Sequence, residues 1–159
     1  MINDAQAQDV LYHIPTTRWV LGTVERILHK GYDDRETWSR CWYDEYKALG
    51  GTTSSGTKPC PCGAAYGLWF LGRLCSGQRP LIKLTAEKIY RNKALGKNAA
   101  YAVIAANLLD TIRFHSDAEL WSRVQSEFKR HTGDDPALSD QGEVKLVVHL
   151  FRSQNLVTC

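Results

Sequence analysis

The chain has 159 residues, 43% of them apolar and 23% charged, a balance that belongs to a globular domain and excludes a disordered or fibrous chain. At this length about 70% of the extended chain's surface is expected to be buried on folding, so a core forms without a disulfide frame or a structural metal. Twenty Lys and Arg against seventeen Asp and Glu leave a net charge of +3, which excludes a strongly cationic nucleic-acid coater.

The first ten residues carry Asp4 and Asp9 and lack the basic and apolar regions of a secretory signal, so a cytoplasmic protein is expected. Thr16 or Thr17 is placed to cap a first helix whose Trp19, Val20, Val24, Ile27 and Leu28 recur at helical spacing up to Gly31. After Asp33, Asp34 and Glu36, a second stripe of Trp38, Cys41, Trp42, Tyr46 and Leu49, broken only by Glu45, predicts a second helix stopped by Gly50 and Gly51. The Gly, Ser and Thr run that follows, to Pro59, predicts an exposed loop. Pro61 then opens a third helix with Ala64, Ala65, Leu68, Leu71 and Leu74. Each glycine inside that helix costs about 1 kcal/mol relative to alanine, so Gly63 and Gly67, four apart on one face, predict that another helix approaches closely there.

The second half follows the same plan. Asn98 is placed to cap a helix containing Tyr101, Ala102, Ala105, Leu108 and Leu109, and Ser116 or Asp117 to cap one containing Leu120, Trp121, Val124 and Phe128. Val144, Val147, Val148, Phe151 and Leu156 mark the last. The run from Ala99 to Leu109 is too short to span a bilayer and is interrupted by Asn107, so it predicts a buried helix and no membrane segment. A shift of 83 residues lays Trp38-Ser39-Arg40 on Trp121-Ser122-Arg123, Gly50 on Gly133 and Gly72 on Asn155, and a shift of 81 lays Thr17 on Asn98. The expectation is an all-α single domain, 1–159, of about six helices in two pseudo-repeated three-helix units, about 17–76 and 98–157.

Between the units, 79–97 holds Arg79, Lys83, Lys88, Arg91, Lys93 and Lys97 against Glu87 alone, so the excess positive charge of the chain resides in this connector. Lys83, Lys88, Arg91, Lys93 and Lys97, with Tyr90 as a stacking or anchoring ring, are the expected binding residues. Five tryptophans exceed what narrow helices bury with ease, and Trp42 and Trp69 are the expected partly exposed anchors for a protein partner.

Little in the sequence supports catalysis. Cys60-Pro61-Cys62 has a single residue between its thiols and no second pair at zinc-site spacing, and the five cysteines form an odd set that fits reduced thiols. His13, His29, His115, His131 and His149 stand singly, with none paired to a thiol. No phosphate-binding glycine loop or nucleophile elbow occurs. No metal or cofactor is expected. The segment from Leu138 to Val157 offers only Lys145, Arg152 and Gln154 as outward polar groups, too few for a recognition helix.

The segment Cys60-Pro61-Cys62-Gly63-Ala64-Ala65-Tyr66-Gly67-Leu68, with Asn98 to Ala102 and Gly142 to Val157, resembles a family of small bacterial and phage-associated proteins with a Cys-Pro-x-Gly-Ala-x-x-Gly-Leu helix before an Asn-x-x-Tyr-Ala helix. The chain departs from that pattern at Cys62, commonly a lysine, and at Trp69 and Phe70, where polar or small residues are usual. The resemblance implies a two-part helical fold and a phage or defence context. It implies no activity; the connector and the tryptophans give the expected function, a small protein-interaction module acting through the connector and an exposed aromatic, and the resemblance adds the expectation of a phage or defence-related effector or inhibitor. The alternatives are nucleic-acid binding through the same connector and, further off, a thiol-dependent enzyme.

Overall fold

The computed structural model describes residues 9–157, so the expectations drawn from most of the first ten residues and from Cys159 lie outside the described residues. Among the described residues, seven α-helices and one short 3-10 turn account for nearly all regular structure. A two-residue antiparallel hairpin, β1 (Val10–Leu11) with β2 (Ile14–Pro15), precedes them and places Leu11 opposite Ile14, both in the core.

Helix α1 (Thr16–Lys30) ends as expected at Gly31, whose φ of 75° suits a residue without a Cβ. Its start differs: Pro15 precedes the first turn, and neither threonine caps it. Thr16 Oγ1 instead meets His149 Nδ1 at 2.7 Å and Thr17 Oγ1 meets Ser153 Oγ at 3.0 Å, so both tie α1 to the last helix. Helix α2 (Arg35–Ala48) is capped by Asp34, whose carboxylate accepts from Thr37 N at 2.9 Å. The expected loop then folds back as a 3-10 turn over 54–57, with Gly51 and Gly56 against the Tyr46 ring.

Helix α3 (Pro59–Phe70) is buried on almost every side and ends before Gly72, so Leu71 and Leu74 lie past its last turn. The connector is not irregular throughout: Thr85 caps a six-residue helix α4 (Ala86–Arg91). That makes seven helices where six are expected. Helix α5 (Gly96–Thr111) starts before Asn98, which sits inside its first turns and not at its cap. Its Ala99–Ala106 stretch is buried, as the apolar run predicts. Helix α6 (Asp117–Thr132) begins at Ser116, whose hydroxyl accepts from Glu119 N at 3.1 Å, and ends at Gly133. Helix α7 (Glu143–Arg152) leaves Leu156 outside the helix.

Helices α3 and α5 approach closely at Gly67. A Cβ there would overlap Ala99 Cβ and stand 2.9 Å from Ala99 Cα, so the expected close approach is present. Buried side chains from all seven helices form one cluster, centred on α3 and α5. Its largest elements are stacked indoles: Trp19 on Trp42 at 4.1 Å between centroids and Trp38 on Trp69 at 5.3 Å.

The segments leaving α3 and α7 meet. Leu74 bridges Leu156 in antiparallel fashion, Cys75 N donates to Asn155 O at 2.9 Å, and Val157 N donates to Arg73 O at 2.9 Å. Both helices end the same way: Gly72 (φ 75°) and Gln154 (φ 60°) are the left-handed residues, and the next amide closes on Leu68 O in one case and Leu150 O in the other. The left-handed residue after α7 is thus Gln154 and not Asn155, the residue onto which the 83-residue shift lays Gly72.

Candidate functional site

The expected binding residues do not gather into one patch. The connector starts as an extended strap in which Arg79 lies over the Trp69 and Phe70 rings and pairs with Asp33 at 3.0 Å, while Ile82 N donates to Leu71 O at 2.9 Å. Lys83, Lys88, Arg91, Lys93 and Lys97 are exposed. Arg91 pairs with Glu87 at 3.4 Å and donates to Thr132 O. Lys97 stands in the first turn of α5, whereas Lys83 lies beside Asn107 and Thr111 near its other end, about 15 Å further along the helix axis. Tyr90 is half-buried, with its hydroxyl donating to Asp134 at 2.8 Å and its ring edge-on to Phe128. It braces α4 against α6, with the Arg91 guanidinium over its ring at 5.4 Å from the centroid.

Trp42 and Trp69 are a clear correction: 0% and 1% exposed, both belong to the core. Trp69 Nε1 donates to Gly77 O, and Trp42 carries the Trp19 ring on its face. The helices bury so many rings by stacking them across α1, α2 and α3, which a count of rings per helix does not capture.

What the fold does bring together lies at the C-terminal end of α5. A cleft of about 610 Å³ opens between that end, residues 112–116 and α7, and a groove of about 350 Å³ opens between the same end and the strap 81–84. Asp110 and Thr111 line both. Of the six large apolar side chains exposed among the described residues, three stand here: Leu81 in the groove, Ile112 and Phe151 in the cleft. The surrounding charges are mainly cationic, from Lys83, Arg73, Arg113 and Arg152, against Asp110 and Asp117. Arg152 also pairs with Asp9 at 3.3 Å. Sequence reasoning found Lys83 here through the charge run. It passed over Arg73 because nothing in a sequence distinguishes a buried arginine from a solvated one.

A second polar cluster sits at the other end of α3 and α5. Glu143, 1% exposed, is pushed up to about 7 by burial and by a hydrogen bond to the Asp140 carboxylate. Asp140 accepts from Gly142 N and Val144 N, and Glu143 Oε2 accepts from Gln141 N at 2.6 Å. Gly142 is the residue that precedes α7, so Asp140 and Glu143 satisfy the amides of the entering turn without forming a capping box. Burial and the nearby Glu143 push the Cys60 thiol up, and burial pushes Cys62 and Cys41 up, so the start of α3 does not activate its thiols. Among the described residues, no group of three His, Cys, Asp or Glu side chains is placed to hold a metal ion. None of their helices is long and apolar enough to cross a membrane.

Comparison with known proteins finds no matching family model, no matching curated protein and no matching solved structure.

Proposed function

We propose that the protein is a non-catalytic interaction module that docks an acidic, apolar segment of a protein partner on the face around the C-terminal end of α5. One observation carries this reading: Leu81, Ile112 and Phe151 converge there inside a rim of Lys83, Arg113 and Arg152. Exposed apolar side chains in a mainly cationic rim, here Lys83, Arg73, Arg113 and Arg152 against Asp110 and Asp117, favour a partner that supplies apolar anchors and net negative charge. The docking residues of this reading are therefore Lys83 from the connector and Phe151 as the exposed aromatic, in place of Trp42 and Trp69. A role as an effector or inhibitor rests on the resemblance of the Cys60 to Leu68 segment alone.

We further propose that the two halves are copies of one three-helix unit. A single offset of 82 positions relates the caps Asp34 and Ser116, the buried stripes Trp38/Trp42/Tyr46 and Leu120/Val124/Phe128, the left-handed residues Gly72 and Gln154, and the bridging pair Leu74 and Leu156. The two bonds beside that bridge, Cys75 to Asn155 and Val157 to Arg73, exchange under the same offset, as a two-fold axis through the pair requires.

The docking reading is tested by panning short random peptides on the protein. Enriched peptides should combine Asp and Glu with large apolar residues, and Phe151→Ser should weaken them at least tenfold, while Leu138→Ser, at a residue 97% exposed and remote from the face, should not. Peptides indifferent to Phe151→Ser would overturn it. So would tight, steeply salt-dependent binding to DNA or RNA that declines when Lys88, Arg91 and Lys93 are neutralised, the signature of the nucleic-acid alternative.

A further inference from the structure

The groove under the strap has the chemistry of a small-ligand site in its own right. Its walls are the apolar side chains Leu71, Ile82, Leu84, Ile89 and Val103, and its volume of about 350 Å³ lies within the range of small-molecule pockets. The polar groups that line it are Arg73, Lys83, Asn107, Asp110 and Thr111.

Arg73 is the unusual member. It is 5% exposed and carries a permanent charge, yet Nη2 donates at 2.8 Å to the neutral amide oxygen of Asn107 and Nε has no hydrogen-bond partner. Its backbone is held on both sides, N to Leu68 O at 2.8 Å and O from Val157 N at 2.9 Å, in the bridge where the chain's halves meet. The Arg73 backbone is thus fixed by the fold's central joint, and Asn107 holds its guanidinium, so the charge stands among the residues that line the groove. A buried cation is stabilised by a nearby anion, and a guanidinium favours a planar one such as carboxylate.

We propose that this groove binds an apolar monocarboxylate, with the hydrocarbon against Leu71, Ile82 and Val103 and the carboxylate in the field of Arg73 and Lys83. The charge count sets the valence. Two cations and the Asp110 carboxylate line the site, so one further negative charge balances it, while a phosphate dianion overloads it. A free apolar acid and the C-terminal carboxylate of a peptide ending in an apolar residue share this chemistry. The groove shares Leu81 and Lys83 with the docking face but is not lined by Phe151 or Ile112, so Phe151→Ser distinguishes failure of one reading from failure of the other.

Calorimetric titration of the full chain tests the assignment with five probes: octanoate, octanamide, octyl phosphate, and a leucine-terminated peptide with its carboxylate free and the same peptide amidated. Octanoate or the free-carboxylate peptide should bind saturably, and whichever does identifies the source. The corresponding amide and octyl phosphate should bind at least tenfold more weakly. Arg73→Met should abolish binding. Should that variant not fold, Asn107→Asp is the second test, because it places a carboxylate on Arg73 from within the chain: binding should fall at least tenfold while cooperative unfolding is retained. Phe151→Ser should leave carboxylate affinity unchanged. Absence of carboxylate binding, equal affinity for acid and amide, or indifference to Asn107→Asp would overturn the proposal.

Discussion

Glu143 shows how one buried side chain sets a pH dependence. Its carboxyl is raised to about 7 in the fold, against an ordinary carboxylate value in the unfolded chain, so the folded protein binds more protons than the unfolded one between about pH 4.5 and 7. The stability that Glu143 contributes is therefore complete in acid and lost as pH rises through that window. His149 acts in the opposite sense: burial lowers it, so its contribution is present above the ordinary histidine value and is lost as pH falls below it. Glu143→Gln keeps a donor for Asp140 and removes the titration. Urea unfolding should show the variant unchanged at about pH 4.5 and more stable than the natural chain by about 3 kcal/mol at about pH 8. A variant that loses stability at both pH values would show that Glu143 matters as a charge. The thiols give a second test at this scale. Cys75 is exposed, while Cys41 and Cys62 are buried and Cys60 is half-buried beside Glu143. In a chain carrying Cys159→Ser, iodoacetamide at neutral pH should modify Cys75 first and the other three slowly until denaturant is added, as followed by mass spectrometry. Rapid modification of Cys60 would revive the thiol-enzyme alternative.

At the scale of elements, α3 and α5 are held together by an absence of side chain. Gly67 meets Ala99 through backbone and Cβ, groups that cannot turn aside, whereas the atoms nearest a Cβ at Gly63 are the Arg35 guanidinium nitrogens at 3.2 Å and Asn98 Cβ at 3.3 Å. Both substitutions to alanine raise helix propensity by about 1 kcal/mol. Gly67→Ala should nevertheless destabilise by about 1–3 kcal/mol, because the helices must separate, and Gly63→Ala should be close to neutral, because the arginine can swing away and the gain in helix propensity offsets the small shift that Asn98 Cβ must make. Thermal unfolding of the two variants compares them directly. The sequence carried this contact plainly, since two glycines at helical spacing have few other physical reasons to persist in an apolar run. Helices α1, α2 and α6 were equally legible from their one-sided apolar stripes and their Gly31, Asp34 and Ser116 boundaries. Helix α4 was not, because six residues span less than two turns and show no period, although Thr85 marked its start. Asn98 misled as a cap because α5 is buried on nearly all sides, which removes the polar face that normally locates a helix start.

At the scale of the whole molecule, the site was legible only in part because it is made by joining the halves. Lys83 was visible in a charge run, but Arg73, Ile112 and Phe151 reach the same face from segments far apart in sequence, and no local pattern links them. The joints themselves cross the boundary between halves. Helix α3 of the first packs its glycine face on α5 of the second, Thr16 of α1 bonds His149 of α7, and Leu74 bridges Leu156. A half taken alone would expose Gly67, Leu74 and the buried face of α3, apolar area that at roughly 25 cal/mol per Å² outweighs the small net stability of a domain this size. Cutting the chain in the turn between Arg91 and Gly96 should therefore yield two fragments that each lack cooperative unfolding and sharp near-ultraviolet dichroism from the tryptophan stack. Mixed in equal amounts, they should recover both and elute as one complex. The turn at 92–95 is the place to cut because Asn92, Lys93 and Ala94 are exposed. A fragment that melts cooperatively by itself would show that the core of each half is self-sufficient, and that the shared cluster around α3 and α5 is an interface between two domains and not the centre of one.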